Sequence, residues 1–326
     1  MKMAVSRNGR AMELFLSCDW GTTAFRLRLV RAEDLSVLAE VTQGSGIAET
    51  YSRWIDQGSP QRQLFYASIL KERIAELGQQ SGLSLTGIPV ILSGMASSSI
   101  GMKELPYQKL PFGLDGTGLL VEKLAADNDM NPLFVISGVQ SETDVMRGEE
   151  TKILGCSSML ANNDQEQLII LPGTHSKHVI VKQQQVIVFK TYMTGEFFKL
   201  LSTHSILSAS VAEETDFDEP ANQARFCAGI RAAQESGLLH AAFRVRTNQL
   251  LESVPGTENF YYLSGLLIGS ELKDIPPGIA VHLAAGWTHS TLYQTALSEL
   301  GVIVSGAMDA DAALIAGQYM MLSRQD

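Results

Sequence analysis

Little in this chain suits a disulfide scaffold, a membrane span or a polyanion-binding surface. Its three cysteines, Cys18, Cys156 and Cys227, are an odd number with no CxxC or metal-ligand spacing. A disulfide framework is thereby excluded, and a reducing cytoplasm is the expected setting. No run approaches the roughly 18 apolar residues of a membrane-spanning helix. Lys2, Arg7 and Arg10 are not followed by the apolar segment of an export signal. Basic residues are scarce too: 25 Lys and Arg against 35 Asp and Glu leave a formal net charge of −10, and no basic run exceeds two residues. Nucleic acid and anionic membranes are therefore disfavoured partners. A small anionic ligand stays compatible, because backbone amides and helix N-termini can bind it locally. The GxxxxGK[ST] loop, the HExxH helix and the protein-kinase motif set are all missing. Neither Gly44 and Gly46 nor Gly113, Gly116 and Gly118 sit in the strand–turn–helix context of a dinucleotide fingerprint.

What is present is ordinary in bulk: 326 residues, 45% hydrophobic and 18% charged, enough for two globular domains of about 150 residues each. The chain is organised around two stretches that read as copies of one another, LSCDWGTTAFRLRLV from Leu16 and LPGTHSKHVIV from Leu171. Each is an apolar strand, a sharp Gly-Thr turn and a second strand that alternates apolar with polar residues. Gly at such a turn lets backbone N–H groups approach an anion, and the neighbouring hydroxyls add donors. A carboxylate at the strand end, Asp19, suits Mg²⁺ held through water. Taken singly, each stretch reads equally as a hairpin whose polar residues satisfy the turn. Duplication in corresponding places favours a paired grip on a polyphosphate.

The rest of the chain repeats in the same way. After the first hairpin the pattern predicts a strand over 36–41, a helix over 61–77 with Leu64, Ile69, Ile74 and Leu77 on its buried side, and a strand over 90–92. A helix over 116–126 and a strand over 133–137 follow. The strand over 90–92 ends in Ser93 and Gly94, at the carboxyl end where open α/β sheets bind ligands. The second half repeats the order with strands over 168–171, 178–182 and 185–190 and a long helical region over 195–272. A strand over 280–284, a helix over 290–300, a strand over 302–304 and a helix over 309–322 complete it. The expectation is a duplicated α/β fold with domains 12–155 and 156–326 and a cleft between them. Between the halves, Ser141 reads as a helix start with Glu142 and Asp144 close behind, so capping is the plain explanation for those acids and for Glu149 and Glu150. Gly148 in that stretch would cost a helix about 1 kcal/mol relative to Ala, which implies that something approaches it closely.

DWGTT at Asp19–Thr23, SGM at Ser93–Met95, MRGEET at Met146–Thr151, PGTHSKHV at Pro172–Val179, MTGE at Met193–Glu196 and LSGLLIGSE at Leu263–Glu271 occur in one order along nearly the whole chain. In this the sequence resembles the 2-keto-3-deoxygalactonate kinases, members of the sugar kinase/Hsp70/actin superfamily. The resemblance implies a duplicated ribonuclease-H-like fold with an interdomain cleft. It further implies ATP-dependent phosphorylation of the terminal (6-) hydroxyl of 2-dehydro-3-deoxy-D-galactonate in galactonate catabolism, with ATP and Mg²⁺ required.

By motif position, Asp19 resembles the carboxylate that orients hydrated Mg²⁺, and Gly21, Thr22 and Thr23 the first phosphate hairpin. Gly173, Thr174 and His175 resemble the second hairpin, with Lys177 an added cation, and Gly286 the adenosine-side turn. The N-terminal half would then hold the sugar acid and the C-terminal half the adenosine. Glu149, after Gly148, resembles the general base, with Asp144 the alternative and helix capping a third reading. Arg147 suits the substrate carboxylate as a bidentate partner, or equally a salt bridge to Glu149 or Glu150. Ser93, Gly94, Ser97 and Glu196 are further substrate candidates, although core or cap serines are common. His178, Tyr107 and Thr194 stand out only by proximity to motifs. A homodimer is compatible with all of this. Two other functions stay open: a kinase for a different sugar or sugar acid, and a non-catalytic nucleotide-dependent binding protein.

Overall fold

The computed structural model describes residues 13–58, 61–124 and 131–325. The N-terminal segment read for an export signal, and residues 125–126 of the helix expected over 116–126, lie outside them. The chain forms two compact units. The first comprises the described residues within 1–158, 183–188 and 310–326, the second 159–182 and 189–309.

The first unit opens with β1 (Leu14–Trp20), β2 (Phe25–Arg31) and β3 (Val37–Gln43), then α1 (Ile47–Asp56), α2 (Arg62–Ser81) and β4 (Val90–Gly94). Short strands β5 (Gln108–Lys109) and β6 (Phe112–Gly113) precede β7 (Val121–Leu124) and β8 (Leu133–Ile136). The hairpin β9 (Val139–Gln140) and β10 (Val145–Met146) then leads into α3 (Glu149–Gly155). The second unit contains β11 (Gln167–Leu171), β12 (Ser176–Lys182) and most of β13 (Gln185–Tyr192), whose first residues count with the first unit. Next come α4 (Thr194–His204), α5 (Pro220–Glu235), α6 (Leu238–Glu252), α7 (Gly256–Leu272), β14 (Ala280–Ala284), α8 (Trp287–Glu299) and β15 (Val304–Met308). The last helix, α9 (Ala310–Ser323), belongs to the first unit.

The two main sheets share one plan. In the first the strands lie in the order β3-β2-β1-β4-β8, and in the second in the order β13-β12-β11-β14-β15. β1 and β11 each pair antiparallel with the strand after them and parallel with β4 or β14. Their sequences, LFLSCDW and QLIIL, are nearly continuous buried runs, as expected of strands covered on both faces. The anticipated duplication is thus present strand for strand.

Several local expectations fail for identifiable reasons. The helix expected over 116–126 is replaced, within the described residues, by a turn and β7, which pairs antiparallel with β8 at the sheet edge. Gly116 (φ +89°) and Gly118 (φ +92°) adopt conformations no helix contains. α2 buries Tyr66, Ala67, Leu70, Ile74 and Leu77, while Leu64 is exposed, so the apolar stripe is rotated from the expected one. α1 was not anticipated. No helix starts at Ser141: its hydroxyl accepts from the backbone N–H of Thr143 and Asp144 in the β9–β10 turn, and the helix begins eight residues later at Glu149. The division of the chain also differs from 12–155 and 156–326, chiefly because α9 packs on α3 inside the first unit. Gly155 and Gly317 let those helices meet at backbone distance. Asp311 pins α9 to β2 through Arg26 at 2.8 Å and the buried Arg28 at 2.7 Å.

Candidate functional site

In the first unit, the sheet gathers the sequence motifs at the carboxyl ends of β1 and β4. Asp19, half-buried, lies opposite Ser93 in the β1–β4 register, and Trp20 lies opposite Gly94. Gly94 (φ +84°) is so close that a Cβ there would stand 2.9 Å from the Trp20 carbonyl oxygen and 3.4 Å from Asp19 Oδ1. Gly148 caps α3 with φ +110°, and a Cβ on it would lie 3.1 Å from Gly94 Cα. That is the close approach its place in the sequence implied. Asp19, Gly94 and the start of α3 are thereby one neighbourhood.

At the start of α3 the two glutamates differ in environment. Glu149, half-buried, accepts the Arg147 backbone N–H at 3.1 Å. Glu150 is fully buried: Oε2 accepts the Gly148 N–H at 2.7 Å and Oε1 the Thr151 hydroxyl at 3.1 Å. Burial first, and then the neighbouring Glu149 charge, push the Glu150 carboxyl up to about 7. The Thr151 hydroxyl accepts from Ser93 at 3.2 Å, and Ser93 accepts from Gln318 of α9 at 3.0 Å. Ser93 has no exposed surface. It is a core serine that carries this network, and the reading of it as a substrate contact gives way to that one.

Arg147 donates through Nη1 to the Ser97 carbonyl at 2.7 Å and to its hydroxyl at 2.5 Å, and its guanidinium lies 4.2 Å above the Tyr107 ring. Its Nε is buried without a partner. Among the described residues it makes no ion pair, so the anticipated salt bridge to Glu149 or Glu150 is not formed. The guanidinium lines a cavity of about 460 Å³ together with Tyr107, Ser98, Ser99 and Glu104. Tyr107 has a role the sequence did not supply, as the aromatic platform under this cation. Asp144 sits in the β9–β10 turn, where its Oδ1 accepts the Val145 N–H at 2.7 Å.

The Gly-Thr turns of both units are gripped alike. After β3, Ile47 and Ala48 at the start of α1 donate their N–H groups to the carbonyls of Gly21 and Thr22. Gly46 is at the contact, where a Cβ would lie 2.4 Å from the Thr22 carbonyl oxygen. After β13, Glu196 in the first turn of α4 donates to the Thr174 carbonyl, and a Cβ on Gly195 would lie 2.7 Å from the Gly173 carbonyl oxygen. A helix N-terminus thus holds each turn, and Thr22, Thr23, Thr174 and His175 are left exposed at the tips.

Around the second turn, Glu196 pairs with His175 at 2.5 Å, so its carboxylate is engaged by that histidine. Lys177 is buried, with Nζ donating to the His175 carbonyl at 3.3 Å. Gly286 caps α8. The residues after it, Trp287, Thr288 and His289, line a cavity of about 560 Å³ that also reaches Gly173, Thr194 and Gly195. One wall of it is aromatic, with Phe198 edge-on to Phe260 and Phe217 tilted on Tyr261. Glu213, Asp216 and Asp218 line another part. Its volume suits a nucleoside-sized ligand. His289 is held below its ordinary pKa by burial.

Sequence reasoning gave no role to Glu271 or Tyr293. Glu271 is buried near the end of α7, after the apolar run Leu266–Ile268. A carboxylate behind that run was the available signal, because a buried charge needs partners.

A family model described as 2-keto-3-deoxy-galactonokinase matches residues 19–321. A Rhizobium meliloti protein named as a probable 2-dehydro-3-deoxygalactonokinase is 33% identical over 314 residues, covering 93% of this chain and 94% of the relative. The Escherichia coli 2-dehydro-3-deoxygalactonokinase is 29% identical over 312 residues, covering 93% and 95%. The crystal structure of a Sinorhizobium meliloti protein assigned as a 2-dehydro-3-deoxygalactonokinase matches with a TM-score of 0.78 at 32% identity, over 95% of this chain and 96% of that one. With the match running almost from the first Gly-Thr turn to the end of the last helix, the chain belongs to the 2-keto-3-deoxy-galactonokinase family.

Proposed function

We propose that this protein transfers the γ-phosphoryl group of ATP to the terminal (6-) hydroxyl of 2-dehydro-3-deoxy-D-galactonate, releasing ADP. The observation that carries the reading, beside family membership, is the assembly in the first unit of Asp19, Gly94, Glu149 and the cavity-lining Arg147. The first unit takes the sugar acid and the second the adenosine. A cytoplasmic setting agrees with three free cysteines.

Phosphoryl transfer needs positioning and charge stabilisation more than covalent participation by the protein. Arg147, steadied by Ser97 and Tyr107 where it lines the cavity, binds the acid's carboxylate. Glu149, held by the Arg147 N–H, accepts the proton of the attacking hydroxyl. The second turn borders the nucleoside cavity at Gly173 and presents the backbone N–H groups of its exposed tip, Thr174 and His175, to the phosphates.

Among the described residues no group of three or more His, Cys, Asp or Glu could form a metal cage. A single half-exposed carboxylate, Asp19, still fits Mg²⁺, which keeps most of its waters and takes substrate phosphates as ligands. When bound, the ion supplies neutralisation of phosphate charge.

The test is a coupled ADP-release assay over a panel of 2-keto-3-deoxy sugar acids and neutral sugars. The galactonate-configured acid should give the highest kcat/KM. ADP release that no sugar acid stimulates would refute the reading, and a preference for neutral sugars would remove Arg147 from it.

A further inference from the structure

Glu271 is the hub of a buried network in the second unit. Its side chain is 1% exposed. Oε1 lies 2.9 Å from His178 Nε2 of β12, while Oε2 accepts from the Tyr293 hydroxyl of α8 at 2.7 Å and from the Thr194 hydroxyl at the start of α4. Since Tyr293 gives its only hydroxyl proton to the carboxylate, its oxygen is the acceptor for Ser176, whose Oγ is 3.0 Å away. Ser176 Oγ in turn lies 3.3 Å from the Gly173 backbone nitrogen. The donors therefore run in one direction, from Gly173 N–H through Ser176 and Tyr293 to Glu271. Aligned chains of this kind strengthen one another in a low-dielectric interior. Burial and the Glu271 charge both hold the Tyr293 phenol protonated, well above its ordinary pKa.

The branches of this network meet the second Gly-Thr turn from two sides. Ser176 holds Gly173 from within the hairpin. Thr194 anchors the first turn of α4, whose Gly195 and Glu196 close on Gly173 and Thr174. Gly173, Thr194 and Tyr293 all line the 560 Å³ cavity, and His289, which also lines it, is close enough to feel the Glu271 charge.

We infer that Glu271 is a positioning residue. It fixes the phosphate-facing turn Gly173–Ser176 relative to the nucleoside cavity, so that a nucleotide seated in the cavity finds the turn already shaped for its phosphates. The inference rests on the proposed nucleotide site. No contact between Glu271 and the nucleotide is required.

The test uses the full chain. Glu271→Gln keeps the shape and removes the charge on which the donors converge. The KM for ATP should rise, and ADP should bind more weakly, by about tenfold, the scale of hydrogen bonds to a charged group. The KM for the sugar acid should stay within about twofold. Tyr293→Phe and Thr194→Val each cut one branch and should give smaller shifts of the same sign; their combination should approach Glu271→Gln. If Glu271→Gln fails to fold, the two branch variants carry the test alone.

Lowered melting temperatures with ATP KM, ADP affinity and kcat all within about twofold of wild type would overturn the inference and leave Glu271 a stability element. Hydrogen exchange on the wild type separates that outcome from failure of the nucleotide site itself. ADP should protect residues 173–176 and 287–293. Binding of ADP without protection of either segment would show that the cavity is not the nucleotide site, and the inference would fall with it.

Discussion

Gly148 and Gly94 face each other at backbone distance, both with positive φ, and a Cβ on Gly148 would stand 3.1 Å from Gly94 Cα. Their contact brings the first residue of α3, Glu149, alongside the strand end that carries Asp19.

From that placement, Glu149→Gln should lower kcat by about 10² or more while the KM for both substrates changes little, the mark of a lost proton acceptor. Asp144→Asn, in the β9–β10 turn, should cost far less. Steady-state kinetics on the two variants decides between them. If Asp144→Asn abolishes turnover and Glu149→Gln does not, the base is Asp144 and Glu149 serves the helix terminus.

Replacing Arg147 by Lys removes the planar fork and weakens the stack on Tyr107. The KM for the sugar acid should rise tenfold or more, about 1.4 kcal/mol, with the KM for ATP nearly unchanged. Tyr107→Leu should shift the same constant less. An equal rise in both KM values would assign Arg147 to holding the Ser97 loop.

Asp19→Asn should reduce turnover heavily at saturating ATP and Mg²⁺ while circular dichroism and melting stay close to wild type, because Asp19 is half-exposed at a strand end. Removal of Mg²⁺ by chelation should silence the wild type and add little to the variant's defect. Unchanged turnover in the variant would dismiss Asp19 as the metal's carboxylate.

Glu150 makes stability depend on pH with a definite sign. Its carboxyl is pushed up from 4.5 to about 7, first by burial and then by Glu149. The folded state therefore binds more protons than the unfolded state between those values. The group's stabilising contribution is complete below 4.5 and is lost as pH rises through 7. Glu150→Gln removes that loss, so relative to wild type its melting temperature should be higher at pH 8 than at pH 5. The difference corresponds to about 3 kcal/mol at most. A wild-type-to-variant difference independent of pH over this range would contradict the assignment.

The sequence showed the strands of both hairpins, and the central strands β4, β8 and β14, because these are near-continuous apolar runs bounded by Gly, Ser or Pro. Their repetition made the duplicated order of elements legible, while the order of strands within each sheet came from the structure. Asp19, Gly148 and Glu149 stood out through family motifs, and Asp19 and Gly148 both lie beside Gly94 in the first unit. What escaped depended on packing between distant segments. Leu64 and Tyr66 are both apolar, and only the sheet beneath α2 decides which one is buried. Ser93 looked available because its neighbours are small, yet Gln318, 225 residues away, occupies its hydroxyl. Glu271 gained its meaning from Tyr293, Thr194 and His178, which no local pattern ties to it.

The return of α9 to the first unit has a temporal side. During synthesis, residues 310–323 emerge only after the whole second unit has been made. Until then β1 and β4 lack Gln318, which binds the Cys18 carbonyl and Ser93, Arg28 lacks Asp311, and α3 lacks the helix it packs on. On the ribosome the unit begun first is therefore completed last, and the neighbourhood of Asp19 takes its final form after the second Gly-Thr turn has been translated.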